Sequence, residues 1–406
     1  MPIATSPSNS ARALAAAKVE QAAGILNELG IDAWLTFVRE TTESGDPVLP
    51  IILGQSLTWQ SALVVTAKGD TVAIVGTHDA DAVRSTGAWH EVVGYVQGIG
   101  EPLRELLDRL APRHIAINES TDDVKADGLT VGMYKLLLEH LSGTSHAGTL
   151  VSAANVIRAL RGRKLPAEIE RLRTAIAGAD TIFDRIDREA TPGLTEAAVA
   201  GLMHGHARDQ GWELAWDRAG CPIVTTGPDS MGGHGVPSTT LAIRPGNVFH
   251  LDFGVRIDDY CSDLQRSWYV CQSGESRAPD DVQRAFDAVL ASIDAAAAAL
   301  RPGVECRAVD AAARSTLVSR GYPEYTHATG HEVGRAAHDG GGVLGPTWER
   351  YGKTPFLRVE SGNVFTLELG VDVPGRGYLG LEEMVVVTDN GCAPLSTPQR
   401  AIKLLG

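Results

Sequence analysis

The chain has 406 residues, 44% hydrophobic and 21% charged, with 44 Gly and 20 Pro, a composition that describes a globular protein too long for one typical domain. Against 36 Lys+Arg stand 50 Asp+Glu, a formal charge of −14, so a nucleic-acid role has no electrostatic support and acidic partners are disfavoured. No run approaches the roughly 18 apolar residues of a membrane span, the start lacks an unbroken apolar signal core, and the five cysteines form no C-x-x-C pair, which together predict a cytoplasmic protein with buried free thiols and no membrane partner.

Residues 1–155 read as a small α/β domain. Helical apolar spacing covers residues 11–29 and stops at Gly30, and alternating or apolar runs predict strands at 33–37, 62–66, 71–75, 91–96 and 114–117. Helices are predicted at 79–84, 101–110 and 131–141. Residues 41–55 carry Gly45, Pro47, Pro50 and Gly54 without a clean period, which predicts a long loop of the kind that often carries function. The basic segment 158–166 reads as a solvated linker, partly neutralised by Glu168 and Glu170, and marks the start of a second domain, 156–406, that opens with a helix from 167 to about 190.

The second domain repeats itself. Gly246-Asn-Val-Phe-His-Leu-Asp-Phe-Gly-Val255 returns as Gly362-Asn-Val-Phe-Thr-Leu-Glu-Leu-Gly-Val371, identical at seven of ten positions, at an offset of 116. Upstream, Thr191-Pro-Gly opening a helix that ends at Gly211-Trp212 is answered by Arg301-Pro-Gly opening one that ends at Gly321-Tyr322, at an offset of 110. Two helix-plus-hairpin halves are implied, with a site at their interface.

Each hairpin carries a pair of carboxylates. Asp252 and Asp263 fall nearly opposite one another around an Asp258-Asp259 turn, and Glu368 and Glu382 lie symmetrically about Gly375. Opposed like charges in a buried sheet are costly unless a cation lies between them. Arg256 and Arg376 lie at the turns, and Arg266 has the opposite strand parity to Asp263, so a metal is the economical answer. Histidine supplies the other ligand type. His204 and His206 point to different faces of a helix and read as ordinary polar residues. The segment His327-Ala-Thr-Gly-His331-Glu-Val-Gly-Arg-Ala-Ala-His338-Asp holds three histidines, with Gly330 and Gly334 permitting close backbone approach, and His234 adds a fourth in a glycine-rich stretch. Four carboxylates are too much charge for one divalent ion, and two ions about 3.5–4 Å apart satisfy them better, a single ion being the alternative. The donors favour Mn, Co, Fe or Zn over Cu.

The order and spacing of Asp252, Asp263, His331, Glu368 and Glu382 resemble the five-ligand set of the pita-bread metallopeptidases, peptidase family M24, which include methionine aminopeptidase, aminopeptidase P, prolidase and creatinase. Their D-x-G, S-D, H-x-x-G-H, T-x-E and E-[DE] signatures are met by Asp252-Phe-Gly254, Ser262-Asp263, His327-Ala-Thr-Gly-His331, Thr366-Leu-Glu368 and Glu382-Glu383. The resemblance spans roughly residues 167–406 and, more loosely, the amino-terminal domain of the prolidase, aminopeptidase P and creatinase branch. It implies an α/β (α+β) fold in which a creatinase-like amino-terminal domain precedes a pseudo-twofold duplicated catalytic domain. It also implies two divalent ions, Mn first among Mn, Co, Zn and Fe. Asp252 would chelate one ion, His331 and Glu368 mainly the other, and Asp263 and Glu382 would bridge.

By the same resemblance His234 and His338 would contact the substrate and steady the tetrahedral intermediate, His327 would lie near the leaving portion, and Glu368 would relay a proton. The implied reaction is hydrolysis of Xaa-Pro dipeptides, or of the amino-terminal Xaa-Pro bond of short peptides, by a metal-bridging hydroxide. The implied assembly is a homodimer, with the 41–55 loop as the part that reaches a neighbour's site. His338-Asp339 looks like the H-D pair of the proline-directed enzymes. One departure stands out: that branch usually carries an Arg two residues before the last Glu, where this chain has Gly380-Leu-Glu382-Glu. Arg335, Arg350 and Arg376 are candidates to replace it, each more simply read as surface. The departure keeps a creatinase-like amidinohydrolase as the alternative, whereas the full ligand set disfavours a non-catalytic binding module.

Overall fold

In the computed structural model, which describes residues 9–230 and 235–406, the chain divides into two units between Arg161 and Gly162. Six strands of the first unit form one sheet in the order Glu91–Tyr95, Thr71–Gly76, Ser61–Thr66, Ala33–Val38, Ile115–Ile117, Leu150–Ser152. Side chains alternate across a strand, so an apolar run buried on both faces must be covered on both. Trp34, Leu63, Val65 and Val75 pack with Val19 and Leu26 of the helix Asn9–Leu29 and with Ile157 and Leu160. Leu35, Phe37, Val64 and Ile74 point the other way, onto Leu103 and Leu107 of Gly100–Leu110 and Leu137 of Val131–His140.

Two expectations fail in this unit. The stretch 41–55 is not one open loop: it contains a helical turn, Leu49–Ile52, and Val48, Leu49, Ile51, Ile52 and Leu53 are buried in the core. Asp46 is buried as well, accepting from Asn118 Nδ2 at 2.7 Å and from Val48 N at 2.9 Å. A four-residue turn is too short to show a helical period, and the same holds for the strand Leu150–Ser152, which the sequence reading missed. The basic segment is also not a solvated linker. Arg161 and Lys164 are buried; Arg161 donates to Pro47 O at 3.0 Å, Arg163 pairs with Glu360 at 2.8 Å and Lys164 with Asp339 at 3.4 Å. Glu168 caps its own helix at Leu165 N and accepts from Tyr260 Oη at 2.9 Å.

The second unit shows the duplication directly. The helix Glu196–Asp209 is matched 110 residues later, end for end, by Cys306–Ser319, and the strand Val248–Phe253 begins 116 residues before Val364–Val373. A longer helix precedes each pair: Pro166–Glu189, and Asp280–Ala299. The seven-stranded sheet runs Val364–Val373, Gly377–Thr388, Leu264–Val270, Val248–Phe253, Ile223–Thr225, with Gly391–Pro394 and Lys403–Leu405 attached to its second and third strands. Odd positions of Val364–Val373, among them Leu367, Leu369 and Val371, pack on Phe286, Val289 and Ile293 of Asp280–Ala299. Phe253 and Trp268 meet Phe183 of Pro166–Glu189 at ring distances of 6.0 and 6.4 Å, and Phe249 packs on Trp268 at 5.1 Å. One face of the sheet is therefore oily and helix-covered, and alternation sends the intervening polar residues to the other.

Helix Cys306–Ser319 also fixes the histidine-rich segment. Buried Arg314 grips Asp310 through Nε at 2.9 Å and Nη2 at 2.7 Å, and donates to the carbonyl oxygens of Tyr325 and, at 2.8 Å, His327. Asp310 Oδ1 accepts in turn from Thr329 Oγ1 at 2.8 Å. Removing the cation leaves a buried carboxylate uncompensated, so Arg314→Met is expected to cost about 3–5 kcal/mol in urea unfolding. An Asp310→Ala/Arg314→Met double variant is expected to lose less than the two single losses added, and additive losses would contradict this account.

Candidate metal centre

The register brings the carboxylates together on the polar face of the sheet. Ile223, Asp252, Gln265, Glu382 and Glu368 form one cross-strand row, each paired with the next. Glu368 and Glu382 are directly opposed, as their symmetry about Gly375 requires. Asp252 and Asp263 are not: Asp252 is opposite Gln265, and Asp263 lies diagonal to it, one row along. The first hairpin turns between Asp258 and Asp259, both at positive φ (48° and 70°), and Ile257 pairs with Tyr260. A turn centred one residue later than the midpoint of Asp252 and Asp263 displaces the pairing by two. Gly254 is needed beside it, since a Cβ there would lie 2.0 Å from Ser262 O.

His331 reaches the row from the short strand Gly330–His331, which pairs with Val343–Leu344. Glu368 N donates to Thr329 O at 2.7 Å and His331 N to Thr366 Oγ1 at 3.2 Å, a backbone approach so close that a Cβ on Gly330 would sit 2.0 Å from Thr366 O. His331 Nε2 then lies 3.7 Å from Asp263 Oδ2, 3.7 Å from Glu368 Oε1 and 3.9 Å from Glu382 Oε1. Its Nδ1 faces Glu332 O at 3.5 Å, and with the proton on that nitrogen the Nε2 lone pair is turned toward the carboxylates. Asp263, His331 and Glu382 each offer a donor atom within 4.8 Å of the others'.

The electrostatics run one way. Burial pushes Asp252 up to about 7, and burial with the nearby Asp252 charge pushes Glu368 up to about 8. Asp263 and Glu382 are raised well above the ordinary carboxylate range, first by burial and then by the other acids of the group. Burial, with His338 beside it, pushes His331 down to about 3. Asp252 Oδ1 and Glu382 Oε2 are buried without a hydrogen-bond partner. Hard oxygen donors with unspent lone pairs and one neutral imidazole fit divalent ions of the Mn, Co, Fe or Zn type.

None of the three arginines of the hairpins fills that place. Arg266 projects from the other face to Glu383 at 3.1 Å, Arg256 reaches Glu213 and Asp259, and Arg376 pairs with Asp281 at 2.6 Å. Among the proposed stand-ins for the missing arginine, Arg335 pairs with Asp259 at 2.9 Å and Arg350 donates to Thr326 O. His338 lies edge-on to His331 at 4.3 Å between ring centres, on a segment tied by the Lys164 to Asp339 pair. The ring of His327 is 5.7 Å from that of Tyr325. His204 and His206 bond to different partners, Cys221 O and Glu189, as their helix positions predict. His234 lies outside the described residues.

Three residues of the site escaped the sequence reading. Gln265 sits in the middle of the acid row, His250 one row along, and Tyr378 edge-on to His250 at 5.0 Å. Strand parity was the available signal: His250 precedes Asp252 by two and Gln265 follows Asp263 by two, so both share the acid face.

The family model for metallopeptidase family M24 matches residues 170–389. An uncharacterised peptidase of Bacillus subtilis is 32% identical over 244 residues, 60% of this chain and 64% of that protein, so the match spans just under two thirds of that relative's length. A Xaa-Pro dipeptidase of Pyrococcus furiosus is 28% identical over 66% of this chain and 72% of its own. Among solved structures, a Xaa-Pro dipeptidase from Bacillus anthracis superposes with a TM-score of 0.74 at 24% identity, over 96% of this chain and 100% of that one, and so shares the fold. With the family model covering more than half of its length and the same architecture in the solved relative, the chain belongs to metallopeptidase family M24.

Proposed function

We propose that the protein is a peptidase that hydrolyses Xaa-Pro dipeptides, or the amino-terminal Xaa-Pro bond of short peptides, with two divalent ions held by Asp252, Asp263, His331, Glu368 and Glu382. The observation that carries this reading is the row of buried carboxylates facing the Nε2 lone pair of one neutral imidazole, with oxygens left unpartnered. When bound, such ions supply Lewis acidity and bring the pKa of water from 15.7 toward about 7, so no side-chain nucleophile is required. Mn is the first choice among Mn, Co, Zn and Fe.

The chain's own residues would do the rest. Asp263 and Glu382, both buried and both near His331 Nε2, would be the carboxylates shared between two ions. Glu368 has one oxygen held by Gln265 Nε2 at 3.0 Å and the other turned to His331, a disposition suited to passing a proton without leaving its place. His338, against His331, would donate to the scissile carbonyl oxygen, and His327 would protonate the leaving nitrogen. The Xaa-Pro preference draws on the His338-Asp339 pair and on the name of the Pyrococcus relative. A homodimeric state draws on the family resemblance, and a cytoplasmic setting on five free cysteines, four of them buried.

A panel of Xaa-Pro dipeptides, longer Xaa-Pro peptides and creatine, assayed with added Mn²⁺ or Co²⁺, is expected to give turnover on the peptides. Turnover of creatine alone would overturn the peptidase reading in favour of an amidinohydrolase. Asp263→Ala is expected to lose activity by more than about 100-fold together with its bound metal; a variant that retains the parent's metal content would refute the ligand assignment.

The titrations give a second test. Asp252 and Glu368 rise from 3.8 and 4.5 to about 7 and about 8 on folding, so the metal-free native state holds more protons than the unfolded chain between those limits. Stability of the metal-free protein is therefore full below about pH 4 on this account and is lost as pH rises toward 8. After chelation, the thermal midpoint is expected to fall from pH 5 to pH 8, less steeply in Asp252→Asn, while the Mn²⁺-loaded protein holds its midpoint. A metal-free midpoint that is flat or rises over this range would contradict the assigned burial of charge.

A further inference from the structure

Position 380, where the proline-directed branch carries arginine, is not a vacancy in this protein. A Cβ built on Gly380 would lie 2.6 Å from Gln265 Oε1, 2.7 Å from Tyr378 Cε1 and 2.9 Å from His250 Nε2. The space is occupied by Gln265 and His250 from two other strands and by Tyr378 of the same strand. His250 Nε2 is 3.0 Å from Gln265 Oε1, and Gln265 Nε2 is 3.0 Å from Glu368 Oε2.

The direction of these bonds follows from the donor inventory. Glu368 ionised, as a metal ligand must be, only accepts, so in that state Gln265 presents its NH₂ to the carboxylate and its carbonyl oxygen to His250. His250 must then donate through Nε2, which leaves Nδ1 bare. That nitrogen is buried without a partner, and so is Thr225 Oγ1 across the strand pair. His250 is 3% exposed. A residue kept only to fill the core would be better apolar, since an unpartnered buried polar atom costs stability. What the ring supplies here is the contact of its other nitrogen with Gln265 Oε1.

We propose that His250 and Gln265 are positioning residues for Glu368. Gln265 holds one carboxylate oxygen so that the other faces His331, and His250 holds Gln265 in the orientation that makes this possible. Together they occupy the side-chain space that an arginine at 380 would need. This rests on the metal-centre reading above.

The test uses full-length protein stripped by chelation, with Mn²⁺ titrated calorimetrically and metal-free thermal midpoints as the measure of fold. Gln265→Met keeps the bulk and removes the amide, and is expected to weaken Mn²⁺ binding about 10–100-fold with little change in the metal-free midpoint. His250→Phe is expected to weaken it less, and His250→Gln, which restores a donor, to recover most of the loss. Because His250 acts through Gln265, the double variant His250→Phe/Gln265→Met is expected to bind within about twofold of Gln265→Met alone. Losses that multiply in the double variant, or a Gln265→Met protein that binds like the parent, would overturn the proposal while leaving the metal centre intact. Should His250→Phe lower the metal-free midpoint, Gln265→Met and His250→Gln decide. A parent protein that takes up no Mn²⁺ would overturn the metal centre and this proposal together.

Discussion

Asp252, Glu382 and Glu368 stand in one row on a sheet whose other face is packed with Leu367, Leu369, Phe249 and Phe253, and Asp263 stands one row along. Strand alternation makes the two faces inseparable, because the residues that build the oily face dictate which residues turn to the other. The acids are therefore held in place by the core behind them and cannot relax apart. Burial raises all four carboxylates and lowers His331, and the two shifts have opposite consequences for a cation. A ligating imidazole must be neutral, and His331 is already in that form. Ligating carboxylates must be ionised, so the energetic burden of the site falls on the acids, and a divalent cation relieves it.

Duplication explains how so many acids reach one row. The two hairpins meet at the middle of the sheet through the pairing of Gln265 with Glu382, so each repeat contributes from its own side. The repeats are not equivalent in detail. In the second, the turn at Gly375 sets Glu368 against Glu382; in the first, the turn at Asp258 and Asp259 slides Asp263 past Asp252. That slide admits Gln265 into the row as its one neutral polar member. A small difference between two related turns thereby places an amide with two N–H donors between carboxylates that need them.

Much of this was legible in the sequence because it is encoded locally. The repeat, the opposed spacing of Glu368 and Glu382, the wrong-sided parity of Arg266 and the glycine at 330 each follow from positions within one hairpin or one short segment, and the structure places them accordingly, whereas Asp252 and Asp263 come out diagonal. What the sequence hid depends on partners in other strands or on elements too short for a period. The turn Leu49–Ile52 and the strand Leu150–Ser152 are of the second kind. Gln265, His250 and the glycine at 380 are of the first: Gly380 looks like a lost arginine until the register of three strands shows that two side chains fill its space. The basic segment misled for a related reason, since Arg161 and Lys164 find their partners, Pro47 and Asp339, far along the chain.

The buried ion pairs around the site follow the same logic at a further remove. Arg314 with Asp310 and Lys164 with Asp339 take charges out of water, and hydrophobic residues of equal size would commonly be as stable or more so. What a hydrophobic pair would not supply is direction. Arg314 spends its remaining donors on the carbonyls of Tyr325 and His327, and the Lys164 pair secures the residue that follows His338. Both histidines that flank His331 are thus set by charges that are already matched. Arg266 and Arg335 are likewise committed, to Glu383 and Asp259. Each of these four cations has a carboxylate of its own, so none is spare for the acid row, and the positive charge that the row calls for is left to come from outside the chain.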